Sequence, residues 1–111
     1  MYKDSKQRGQ KFDNEKIAYE LVPVGSIEGL AKILTYGAVK YTPNNWRNVR
    51  PINRYYGALL RHVEAVRKGE WLDQESGMPH LHHALCNVVF LSELLDGKTK
   101  EELIKEFNYE R

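Results

Sequence analysis

One cysteine, Cys86, is all that the chain carries. A single thiol builds no internal disulfide framework and cannot supply a tetrahedral cysteine–zinc site. Long apolar runs are missing as well: mean hydropathy is −0.63, and no stretch approaches the ~20 residues that span a bilayer. No tripartite charged, apolar and small-residue signal opens the chain. These absences set the expectation of a cytoplasmic protein, neither membrane-bound nor secreted. An excess of one charge is also lacking. The 17 basic and 15 acidic residues leave a formal net charge of +2. They are interspersed, so no nucleic-acid polymer is expected as a partner.

What is present is an ordinary globular composition, 41% hydrophobic and 29% charged over 111 residues. That length suits a single domain over 1–111. Residues 1–16 are polar and basic without periodicity, and read as an arm. The helical core is expected over 26–108. Ser26 offers an N-cap, after which Ile27, Leu30, Ala31, Leu34 and Ala38 recur at the spacing of one buried helix face. Gly37 reads as a stop or a close backbone approach. Residues 40–51 read as a loop broken by Pro43, Asn44, Asn45 and Pro51. A second helix follows from about Asn53 to Lys68, with Gly69 as its stop. Pro79 fits the first turn of a third helix that continues to Leu95. Thr99 and Glu102 make a capping box for a short fourth helix ending near Phe107. The chain therefore reads as all-α, a small bundle of four helices.

The histidines carry the chemical signal. All 4 lie between His62 and His83, with Glu70, Asp73 and Glu75 among them. At about 100° per residue, His62 falls in the middle of the apolar face of the second helix. His80, His83 and Asn87 share one stripe of the third helix, and His82 points elsewhere. Each buried imidazole or amide without a partner costs on the order of 1–3 kcal/mol. Four of them together call for a common ligand, a metal or a phosphate-bearing molecule. Imidazoles with carboxylates suit a divalent transition ion, and carboxylates alone suit Mg²⁺. The candidate site set is His62, Glu70, Asp73, His80 and His83, with Glu75 as a support for the loop or for the residues that hold the ligand. The bland alternative for any one of these histidines is a hydrogen-bonded core residue.

A second constellation is basic and aromatic. Lys40, Tyr41, Asn45 and Trp46 share the loop after the first helix. Lysine and arginine can hold phosphate, and tryptophan or tyrosine can stack on a base. Trp46 reads equally well as an anchor for the loop. Arg61, beside His62, is placed for the loop or for a phosphate. Lys11, Asp13 and Lys16 would fold over the same site or remain solvated.

These residues resemble a largely phage-encoded family of dATP/dGTP diphosphohydrolases, similar to the MazG-like all-α nucleoside triphosphate pyrophosphohydrolases. The matching segments are K-F-D from Lys11, L-V-P from Leu21, G-A-V-K-Y from Gly37 and N-W-R from Asn45. R-H from Arg61, G-E-W-L-D-Q-E-S-G from Gly69 and H-L-H-H-A-L-C-N-V-V-F-L from His80 complete them, over roughly residues 11–95. The resemblance implies hydrolysis of a purine deoxynucleoside triphosphate to monophosphate and pyrophosphate. It also implies Mg²⁺ or Mn²⁺ and a bundle completed by homo-oligomerisation. The MazG pattern pairs E-x-x-E on one helix with E-x-x-D on the next. Here Glu70-x-x-Asp73 spells the second element, and no E-x-x-E precedes it in the second helix. The metal shell is therefore expected to borrow His62 and His83.

Under that reading Glu70 and Asp73 neutralise phosphate charge through the metal, and Glu75 or His80 orients or deprotonates the water. Lys16, Lys40 and Arg61 clamp phosphates. Asn45, Asn87 and Tyr41 bond base or sugar, and Trp46 stacks. The rival class is a non-catalytic nucleotide-binding or sequestering protein, which needs the basic and aromatic loop but no metal. A metal-dependent hydrolase of another phosphate ester is a third possibility.

Overall fold

The computed structural model describes residues 15–108. Most of the arm expected over 1–16, Lys11 and Asp13 included, lies outside them. Four α-helices form the described chain: α1 Val24–Lys40, α2 Asn53–Arg67, α3 His80–Leu95 and α4 Lys100–Phe107. Two short 3₁₀ turns, Tyr19–Leu21 and Asn45–Asn48, precede α1 and α2. Among the described residues there is no strand, only a single bridge between Leu72 and Pro79. No helix among them is long and apolar enough to cross a membrane. The all-α architecture is as the periodicity indicates.

Helix starts differ from the sequence reading at α1 and α3. Pro23, not Ser26, flanks α1, and its carbonyl accepts from Ser26 at 3.2 Å and from Ile27 at 3.5 Å. Its fixed φ of −59° already lies where a helix entry needs it, so the helix begins three residues earlier than the serine suggests. Pro79 likewise caps α3 from outside, with His82 and His83 donating to its carbonyl. Gly37 does not stop α1, which runs on to Lys40. α4 has the expected capping box: Thr99 Oγ1 accepts from the Glu102 amide, and the Glu102 carboxylate accepts from the Thr99 amide.

Both α1 and α2 pack on α3. The residues α1 buries are Gly29 and Ile33, not the stripe that the periodicity selects. On that stripe Ile27 is 57% exposed and Leu34 37%. The physical reason is that α1 is apolar on two sides, so periodicity alone cannot choose between them. Close packing chooses. A Cβ at Gly29 would lie 2.3 Å from His82 Nδ1, so the packing of α1 on α3 here needs a glycine.

The buried apolar set is small: Ile33, Ile52, Tyr55, Ala84 and Cys86. His80 and Asn87 are buried among them. Burial raises the Cys86 thiol to about 11, which makes it an inert core residue. The loop before α2 is pinned by Trp46, whose indole stacks on Phe90 of α3 at 4.6 Å. Tyr55 Oη donates to the Trp46 carbonyl at 2.7 Å.

Candidate functional site

The site is built where the α2–α3 loop folds back over both helices. α2 ends in a Schellman motif: the Gly69 amide bonds the Val66 carbonyl and the Glu70 amide bonds that of Ala65, each at 2.9 Å. Gly69 holds φ at +102° there, a conformation that glycine reaches without strain. The chain then doubles back, with Asp73 N to Met78 O at 2.8 Å and His80 N to Trp71 O at 2.9 Å. This return brings Glu70 against the first residue of α3.

The histidines converge as their helix stripes indicate. His80 Nε2 lies 2.6 Å from Glu70 Oε1. Its Nδ1 lies 2.8 Å from His62 Nδ1. His62 also stacks on His83, ring centroids 4.7 Å apart. His83 Nε2 is 2.7 Å from Ser76 Oγ and 3.7 Å from Asp73 Oδ2. Asp73 in turn accepts from the Ser76 amide at 2.9 Å. The Tyr36 ring meets the His83 ring edge to face at 6.5 Å.

Electrostatics divides these groups by role. Burial, then the neighbouring His83 and His80, lowers the His62 pKa. Burial lowers that of His83 too, against the pull of Asp73. Both are thus neutral, with lone pairs to offer. Burial works to raise the Asp73 pKa, but the Ser76 amide and hydroxyl outweigh it and keep the carboxylate ionised. His62, Asp73 and His80 each offer a ligand atom, all within 4.8 Å of one another. Imidazole nitrogens with an ionised carboxylate are a donor set that fits a divalent transition ion. Glu70 is not part of that convergence.

Glu75 lies to one side. Its carboxylate pairs with Lys40 Nζ and accepts from Tyr36 Oη at 3.0 Å. Lys40, then Tyr36, lowers its pKa, and Glu75 in turn raises that of Lys40. The loop is thereby tied to the last turn of α1. Neither nitrogen of His80 is left for a water, since Glu70 and His62 take them. His80 thus stands between the His62 imidazole and the Glu70 carboxylate.

The remaining expected site residues are more dispersed. Lys40 Nζ also lies 5.4 Å from the Tyr41 ring centroid. Asn45 and Trp46 share the second 3₁₀ turn. Phe90 stacks on the Trp46 indole and the Arg47 guanidinium lies over it at 4.3 Å. Arg61 lines an open groove with Leu60, Glu64, Ala65, Lys68 and Glu70. Asn87 is buried and donates to the His83 carbonyl of its own helix at 2.9 Å. Lys16 is exposed ahead of the first 3₁₀ turn.

Sequence reasoning missed Tyr36 and Ser76. The capped spacing Asp73-x-x-Ser76 was the available signal for the serine. Nothing local announced Tyr36, which is 39 residues from Glu75.

The family profile described as "dATP/dGTP diphosphohydrolase, N-terminal" matches residues 6–103. A protein of Salmonella phage PMBT28 named dATP/dGTP diphosphohydrolase is 33% identical over 90 residues. That alignment covers 81% of this chain and 31% of the relative, so the chain spans about a third of the curated relative's length. No solved structure matches. With a profile match over most of its length, laid across the same histidine-bearing helices and loop, the chain belongs to the dATP/dGTP diphosphohydrolase family.

Proposed function

We propose that the protein hydrolyses a purine (deoxy)nucleoside triphosphate, dATP or dGTP, to its monophosphate and pyrophosphate with a divalent metal, Mg²⁺ or Mn²⁺. The observation that carries this reading is the meeting of His62, Asp73 and His80 within 4.8 Å, beside a lysine on the last turn of α1. A bound divalent cation supplies Lewis acidity for the phosphoryl oxygens. His62, Asp73 and His80 would hold it, with His83 alongside. The water's oxygen bonds to the α-phosphorus while its proton passes to Glu75 and on to solvent, the α–β phosphoanhydride bond breaks, and pyrophosphate leaves with the electron pair. Glu75, held ionised, orients the water by accepting from it. Lys40 and Arg61 meet the charge that develops on the phosphates. Asn45, Asn87 and Tyr41 serve the base or sugar, and Lys16 a phosphate. Such an activity draws on the cytoplasmic nucleotide pool.

The same proposal includes a homo-oligomer. The outer stripe of α1, Val24, Ile27, Ala31, Leu34 and Ala38, has the alternating spacing of three and four that fits a coiled-coil seam. Val24 is 79% exposed and Ile27 57%. A helix apolar on both faces is stable only when both are covered, and a second copy of α1 offers a matching seam.

The test is turnover of dGTP, dATP, GTP and ATP with Mg²⁺ or Mn²⁺, products resolved by chromatography. Monophosphate plus pyrophosphate is expected, lost with EDTA and in Asp73→Ala. Full activity in Asp73→Ala would overturn the scheme. Nucleotide that raises the melting temperature without turnover, indifferent to EDTA, would show a binding protein instead.

A further inference from the structure

We propose that Glu70 is a positioning residue and not a cation ligand: its carboxylate fixes His80 in the Nε2–H tautomer and leaves Nδ1 as the bare nitrogen facing His62. What that bare nitrogen is for rests on the metal reading above; the proton's place on His80 does not.

The geometry sets Glu70 against His80. Its Oε1 is spent on His80 Nε2 at 2.6 Å. Its Oε2 lies 3.4 Å from the Gln74 amide nitrogen. It is absent from the three groups that converge within 4.8 Å. A carboxylate accepts only, so the imidazole nitrogen that faces it must carry the hydrogen. In a neutral ring the other nitrogen is then bare. That nitrogen, Nδ1, meets His62 Nδ1 at 2.8 Å. Two bare nitrogens would repel, so the hydrogen between them belongs to His62. One polarised chain results: His62 Nδ1–H donates to His80 Nδ1, and His80 Nε2–H donates to Glu70.

Burial makes the orientation selective. The His80 side chain is 7% exposed and that of Glu70 44%. The ring has no solvent to satisfy Nε2, and its partner is fixed by the Schellman turn at Gly69. An outer carboxylate that orients a ligating imidazole is a general device, and its loss typically weakens metal affinity 10–100-fold. A further consequence concerns His62. Holding a cation through Nδ1 requires its hydrogen to move to Nε2, so His62 changes tautomer on loading while His80 does not.

The test uses the full chain with ¹⁵N-labelled histidine and long-range proton–nitrogen correlation spectra, at a pH of about 8, above the ordinary histidine range. Wild type is expected to show His80 protonated on Nε2 and His62 on Nδ1. Glu70→Ala should give His80 a mixed population. Glu70→Gln should retain much of the wild-type pattern, because its amide oxygen still accepts. Zn²⁺ alone, titrated calorimetrically, should bind Glu70→Ala 10–100-fold more weakly than wild type. It should also switch the His62 tautomer. Glu70 lies at a half-exposed turn, and circular dichroism checks that each variant is folded. An unchanged His80 tautomer in Glu70→Ala, or a His80 that carries its hydrogen on Nδ1 in wild type, overturns the proposal. Loss of Zn²⁺ binding in Glu70→Ala with no tautomer change also overturns it, since Glu70 would then be a ligand. If wild type binds no Zn²⁺ while the tautomer still responds to Glu70, the metal reading fails and the positioning role stands.

Discussion

The imidazoles of His62 and His83 lie face to face, centroids 4.7 Å apart and planes 9° from parallel. Two imidazolium rings cannot stack this way without repulsion, and burial already lowers both pKa values. The unfolded chain therefore binds more protons than the folded one just below the ordinary histidine range. Stability is complete above about pH 6.5 and falls as the pH drops toward the lowered folded values. The melting temperature is expected to decline as the pH falls below about 6.5, and to decline less in His83→Gln. Equal slopes for the two proteins would contradict this.

Gly29 of α1 lies directly against the His82 ring of α3. Gly29→Ala places a methyl 2.3 Å from His82 Nδ1, and the ring must turn or the helices part. Overpacking of this kind costs about 1–3 kcal/mol. Urea unfolding should show that loss, and His82→Ala in the same chain should recover part of it, a coupling that only neighbours produce. Additive effects would mean that the two residues do not meet.

Lys40 is held by Glu75 at the end of α1. Both side chains are exposed, so Lys40→Ala should leave the melting temperature nearly unchanged. Under the proposed hydrolysis it should lower turnover by about 10²-fold, the usual effect of removing one charge that stabilises the transition state. Steady-state kinetics beside a thermal melt separates the two effects, and wild-type turnover in the variant would remove Lys40 from the site.

Trp46 packs on Phe90. Trp46→Leu should cost stability, about 1–3 kcal/mol, with little change in KM for nucleotide. A large rise in KM with stability intact would assign Trp46 the base-stacking role instead.

The outer stripe of α1 gives the last prediction. Leu34→Glu puts a charge on the proposed seam, and light scattering should report a lower mass than for wild type. Wild type that is monomeric at tens of micromolar, the range in which a typical modest interface still associates, would remove the seam from consideration.

The four helices were legible in the sequence because their signals are local: the apolar periodicity of α1, Gly69 after α2, Pro79 at the start of α3 and a capping box on α4. The polar stripe of His80, His83 and Asn87 was legible for the same reason, since 3.6-residue periodicity fixes which side chains share a face. Sequence by itself therefore determined the fold class and the neighbourhood of the chemistry. It could not determine which apolar side of α1 turns inward, because both sides satisfy the periodicity and only the gap at Gly29 separates them. Nor could it rank Glu70 against Asp73. The two carboxylates share one loop and one charge. Their roles differ through a Schellman turn that aims Glu70 at His80 Nε2, and a serine amide that holds Asp73 ionised beside His83. Tyr36 reaches Glu75 across 39 residues, a contact that no local pattern encodes. Those assignments depend on distances between elements, and only tertiary packing sets such distances.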